Sequence, residues 1–165
     1  MSGAVNPFAG LREKGIYENG QYLEAGGRYE LEIQKIILKE TRRSGKGFIV
    51  ECAVTKSSNE EKDPVGAKRS WFQSMKDLDV AFPAIKAFLY AALGYDYSDP
   101  KQKEYLRAKV DPVIETITFE ACDESKNPMR GRKVGVETTA KITKEKKQNF
   151  TRHDFFPVDS RIDFG

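Results

Sequence analysis

From Tyr29 onward apolar and polar residues alternate. Tyr29, Leu31 and Ile33 are separated by Glu30, Glu32 and Gln34, the period of a strand with one buried face. The apolar phase then moves to Ile36 and Leu38, with Ile37 added. A phase change inside one strand predicts a β-bulge that bends it. Arg42-Arg43-Ser44-Gly45-Lys46-Gly47 reads as a turn. A second strand is expected at 48–55, with Phe48, Val50, Cys52 and Val54 on one face and Ile49, Glu51, Ala53 and Thr55 on the other. After a polar loop from Ser57 to Pro64, a third strand is expected over 65–75. It sets Val65, Ala67, Arg69, Trp71, Gln73 and Met75 against Gly66, Lys68, Ser70, Phe72 and Ser74.

The period then lengthens. Ile85, Phe88, Leu89 and Ala92 form a helical stripe, with Pro83 suited to the first turn and Gly94 to the C-terminal cap. Asp99-Pro100 is an N-cap and first-turn proline leading a polar helix toward Lys109. Pro112 to Cys122 fits both periods and leans to helix at its start. A fourth strand is expected at 133–143, where Val134, Val136, Thr138, Ala140 and Ile142 alternate with Lys133, Gly135, Glu137, Thr139 and Lys141. A polar turn from Lys144 to Gln148 leads to a fifth strand over 149–158.

Three strands, a helical insert at about 79–122 and two more strands give a mainly β chain with a helical insert. This order matches a five-stranded oligonucleotide-binding (OB) fold, a Greek-key barrel with its helix between the third and fourth strands. The expected organisation is an N-terminal arm at 1–26, with short structured pieces near Leu11 and Tyr17 to Leu23, a barrel at 27–158 and a tail at 159–165.

Composition narrows the classes. The chain has 165 residues, enough for one core, with 39% hydrophobic and 32% charged residues. Two cysteines and one histidine argue against a disulfide framework, a cysteine-rich zinc site or a histidine-based triad, and fit a reducing cytoplasm. Met1 to Gly10 does not resemble a signal peptide, and the apolar run Val80 to Leu93 is too short to span a bilayer. No cofactor is expected.

The net charge of +3 is segregated. Residues 41–75 hold seven basic and four acidic residues, and residues 126–152 hold nine and two. The insert between them, 76–125, holds six and ten. Two basic segments flanking an acidic one form a polyanion-binding stripe if folding joins them.

OB barrels bind nucleic acid across strands two and three and in the loops joining strands one–two and four–five. The candidates fall there. The one–two turn carries Arg42, Arg43 and Lys46, and strand three carries Lys68, Arg69, Trp71 and Phe72. The four–five turn carries Lys144, Lys146 and Lys147, flanked by Lys141 and Arg152. Cations meet phosphates, and flat apolar rings stack on unpaired bases. Trp71 and Phe72 point to opposite faces. Trp71 sits on the more apolar face and is also a core candidate, so Phe72 is the better stacking residue.

The segments Gly27-Arg28-Tyr29-Glu30-Leu31-Glu32-Ile33 and Gly47-Phe48-Ile49-Val50-Glu51 carry a resemblance to a known group. So do Val65-Gly66 through Ser70-Trp71, Ile85-Lys86-Ala87-Phe88-Leu89, and the closing Asn149-Phe150-Thr151-Arg152-His153-Asp154-Phe155-Phe156-Pro157-Val158. Together they resemble phage-encoded single-stranded DNA-binding proteins with an OB fold. The resemblance implies a role in DNA replication or recombination during infection, in the host cytoplasm, without catalysis. It assigns no contact residues.

Two other classes compete. A metal-dependent nuclease needs converging carboxylates, and the pairs Asp77/Asp79 and Asp96/Asp99 have suitable spacing. Both pairs adjoin helix starts, where capping is the simpler role. His153-Asp154 lacks a nucleophile, and Gly45-Lys46-Gly47 is too short for a phosphate-binding loop. A protein-interaction module without DNA binding is the other alternative. The tail Asp159 to Gly165 mixes acid with Ile162 and Phe164 and is a candidate for recruiting replication or recombination proteins.

Overall fold

The computed structural model describes residues 22–41, 45–142 and 149–165. Strands β1 (Arg28–Thr41), β2 (Gly45–Ser57) and β3 (Lys68–Ser74) come first. Helix α1 (Leu78–Ala92) and α2 (Pro100–Tyr105) follow. A π-helical turn (Leu106–Val110) and a 3-10 turn (Asp111–Val113) lead into α3 (Ile114–Ala121). Strands β4 (Lys133–Ile142) and β5 (Asn149–Pro157) close the order. The strands form one antiparallel sheet in the order β3-β2-β1-β4-β5. Hydrogen bonding leaves the sheet open, with β3 and β5 as its edges.

The phase change in β1 is a bulge. Ile33 pairs with Cys52 and Lys35 with Glu51, so Gln34 is extra. A second irregularity at Glu30/Leu31 skips Thr55 on β2, whose hydroxyl donates to the Glu30 carboxylate at 2.7 Å. β4 pairs with β1 only along Arg28–Glu32, before the bulge, whereas β2 follows β1 to Thr41.

One face of the sheet builds the core. Tyr29, Leu31, Ile33 and Ile36 of β1 meet Phe48, Val50, Cys52 and Val54 of β2, as the alternation predicts. Trp71, Val134, Val136 and Phe155 complete the strand contribution, and α1 adds Ile85, Phe88 and Leu89. Although β3 and β5 share no ladder, their rings meet. Trp71 and Phe155 are edge-to-face at 4.8 Å between centroids, and Phe88 lies 5.3 Å from Phe155.

Some boundaries differ from expectation. β3 starts at Lys68 because Gly66, at φ +91°, turns the preceding segment and donates its N–H to the Val54 carbonyl. Pro83 lies inside α1 rather than in its first turn, because Asp77 caps the helix earlier by accepting from the Asp79 N–H at 3.1 Å. The ambiguous segment is helical from Ile114. Asp99 and Pro100 act as read: Asp99 accepts from the Lys101 N–H, and Pro100 opens α2.

Both ends of the described chain are tied to this body. Leu23 is in the core, the Glu24 N–H donates to Asp63, and the Gly26 N–H donates to the Thr138 carbonyl. At the other end, the Ile162 N–H donates to the Leu93 carbonyl, and Tyr95 donates to the Ile162 carbonyl at 2.6 Å. Gly94, at φ +94°, caps α1 and makes room: a Cβ there would come within 2.6 Å of the Ser160 carbonyl oxygen. Ile162 and Phe164 pack partly against the core. The piece expected near Leu11, and residues 17–21 of the piece expected at Tyr17 to Leu23, fall outside the described residues.

Candidate nucleic-acid interface

The side of the sheet away from the core carries the candidate site. Ile37 of β1 pairs with Ile49 of β2, which pairs with Phe72 of β3, so these residues form one row across three strands. The Phe72 ring occupies the space above Gly47, where a side chain would otherwise sit: a Cβ there would collide with it. Gly47 therefore leaves Phe72 a seat against the sheet, and the ring remains half-buried with the rest of its surface open.

Lysines border this row. Lys39 pairs across from Gly47, Lys35 from Glu51 and Lys68 from Ala53. All three share the outer face, all are exposed, and none has an ion-pair partner among the described residues. Lys35 and Lys39 were absent from the sequence-based candidates. Their signal was present in the same phase change: once Gln34 is skipped, odd positions of β1 turn outward and Lys35, Ile37 and Lys39 line up.

The sequence candidates fall into five groups. Lys68 and Phe72 lie together on this face. Lys46 is exposed, but it shares the parity of Phe48 and Val50 and so belongs to the opposite face, across from Glu40. Lys141 and Arg152 are exposed on the outer face of β4 and β5, with Arg152 in an ion pair with Asp154 at 3.1 Å. Arg42, Arg43, Lys144, Lys146 and Lys147 lie outside the described residues.

The remaining two, Trp71 and Arg69, are occupied by the protein itself. Trp71 is 6% exposed, wedged against Phe48, Phe88 and Phe155, and is the core residue that its face suggested. Arg69 donates Nε to Asp63 at 2.7 Å and its other nitrogens to the Lys62 and Lys68 carbonyls. Asp63 is 1% exposed and also accepts from Tyr29 at 2.8 Å. Burial, reinforced by the Asp63 hydrogen bond, pushes the Tyr29 hydroxyl up to about 12. Arg69 is thus a structural tie between the 57–64 loop and β3.

The two sheet edges approach each other near this site. The His153 ring stacks on Phe155 and lies 6.3 Å from Trp71. Burial lowers the His153 pKa, partly countered by the Thr151 backbone and by Asp154. Arg152 precedes His153 and faces the outer side of β5, while Phe72 follows Trp71 and faces the outer side of β3.

Three of the four rival carboxylates are engaged locally. Asp77 and Asp99 cap α1 and α2, and Asp96 accepts from the Ser98 N–H and hydroxyl. Among the described residues, no group of three or more His, Cys, Asp or Glu side chains is placed to hold a metal ion. No described helix is long and apolar enough to cross a membrane. The chain matches no family model and no curated protein.

Proposed function

We propose that this chain binds single-stranded DNA on the outer face of β1–β2–β3, with little sequence preference and without catalysis. The observation that carries the reading is the row Ile37, Ile49 and Phe72 bordered by the exposed lysines Lys35, Lys39 and Lys68, which have no ion-pair partner among the described residues. Rings stack on any base, and lysines neutralise any phosphate, so this pairing of chemistries attracts an unpaired strand whatever its sequence.

Topology supports the same reading. The order β4-β1-β2-β3 is that of a Greek key, and joining β3 to β5 would complete a circuit through all five strands. OB folds are partly open barrels of this kind and bind oligonucleotides on strands two and three. The Trp71–Phe155 contact fills the seam with side chains in place of a ladder. On this reading the chain is an OB-type protein whose ligand is the single-stranded DNA of phage replication or recombination.

A fluorescent oligothymidine titrated at two salt concentrations tests the proposal. Saturable binding that weakens steeply with salt is the expected result. Absence of binding at low salt would overturn it, and metal-dependent cleavage of the oligonucleotide would move the chain to the nuclease class.

A further inference from the structure

On the opposite side of the sheet, α1, α3 and the far end of β1 enclose an apolar groove of about 520 Å³. Its rim is unusually exposed. Phe119 of α3 is 82% exposed, Phe82 of α1 53% and Leu38 of β1 48%, and Leu78 lies one turn before Phe82.

We propose that this face pairs with the same face of a second copy of the chain. The argument rests on self-complementarity. A two-fold interface uses one patch on both partners, so the patch must contain both the projection and the hollow that receives it. This face has both: Phe119 stands out from the rim of a groove large enough for a phenyl ring. The charged residues lining it, Lys86 and Glu115, have opposite signs, so a two-fold axis can set Glu115 of one copy toward Lys86 of the other. Lys86 is already held by Asp111 at 3.1 Å, so no uncompensated cation enters the interface.

The pairing face and the row containing Phe72 lie on opposite sides of the sheet. Leu38 pairs with Phe48 on the core side, whereas Ile37, Ile49 and Phe72 face outward. A dimer made this way leaves both outer faces free. The inference is independent of DNA binding, and its test needs no nucleic acid.

Sedimentation velocity on the full chain, from low to high micromolar concentration, is the experiment. The wild type is expected to shift from one to two chain masses. Phe119→Asp should weaken association roughly thirtyfold or more, the effect of losing a hot-spot side chain. Because Phe119 is almost fully exposed, the variant should keep the wild-type circular dichroism and melting temperature. A second variant, Phe82→Asp, should do the same. A wild type that stays monomeric at the highest concentration would overturn the proposal, as would a Phe119→Asp dimer of unchanged affinity. A monomer whose groove takes up an apolar dye, with the signal lost in Phe119→Asp, would assign the groove to a different occupant and also overturn it.

Discussion

The Phe72 ring sits directly above Gly47 of the neighbouring strand, in the volume that any larger residue would fill. Gly47→Val should therefore unseat the ring and strain the β2–β3 pair. A loss of about 1–3 kcal/mol in urea unfolding is expected, the usual cost of overpacking. Oligothymidine affinity should fall with it, because the displaced ring no longer lies along the row with Ile37 and Ile49.

Adjacent residues on β3 should separate binding from folding. Phe72→Ala is expected to weaken oligothymidine binding by about 1–3 kcal/mol, the value of one stacked base, with little change in melting temperature. Trp71→Ala should destabilise the fold by about 3–5 kcal/mol, because it empties a site enclosed by Phe48, Phe88 and Phe155. Equal affinity for wild type and Phe72→Ala would remove Phe72 from the interface.

Lys35, Lys39 and Lys68 should act through charge. The triple change to Ala is expected to flatten the dependence of log affinity on log salt by about 0.7 for each lysine that contacts a phosphate. Circular dichroism should remain unchanged, since all three side chains are exposed. An unaltered slope would mean that the strand runs elsewhere.

Asp63 is a test of architecture. It accepts from Tyr29, Arg69 and the Glu24 N–H while almost fully buried. Asp63→Ala leaves the Arg69 charge without its buried partner, and a loss of about 3–5 kcal/mol is expected in denaturant unfolding. Tyr29→Phe removes one donor and should cost about 1 kcal/mol.

His153 sets a pH dependence. Its pKa is lowered from 6.5 in the folded state, chiefly by burial, so the unfolded chain takes up a proton first as pH falls. The stabilisation is complete above the unfolded value and is lost as pH drops from there through the lowered folded value. Thermal melts across that window should show a steeper decline for wild type than for His153→Gln. Parallel declines would assign the acid sensitivity to other groups.

Much of this was legible in residue spacing. The face Phe48, Val50, Cys52 and Val54 follows from simple alternation, and the bulge from the change of phase between Ile33 and Ile36. The caps at Asp99 and Gly94 follow from local chemistry. What escaped depends on contacts between distant segments. Arg69 looks like a free cation until the 57–64 loop brings Asp63 beside it. The tail looks loose until Gly94 makes room for Ser160 and Arg161. Lys35 and Lys39 line up with Ile37 only because the bulge at Gln34 shifts the phase of β1, which the alternation from Tyr29 does not show by itself.

The bulge at Gln34 has a mechanical consequence. Up to Glu32, β1 is paired on both flanks, by β2 and by β4; beyond Lys35, β2 is the only strand that pairs with it among the described residues. The sheet is thus an anchored palm and a thinner finger, with the knuckle at residue 34. Lys35, Ile37 and Lys39 ride on the finger, and Arg152 belongs to the palm. Any movement beyond the knuckle would carry Lys35, Ile37 and Lys39 together, while the strands paired on both sides of β1 up to Glu32 keep their register.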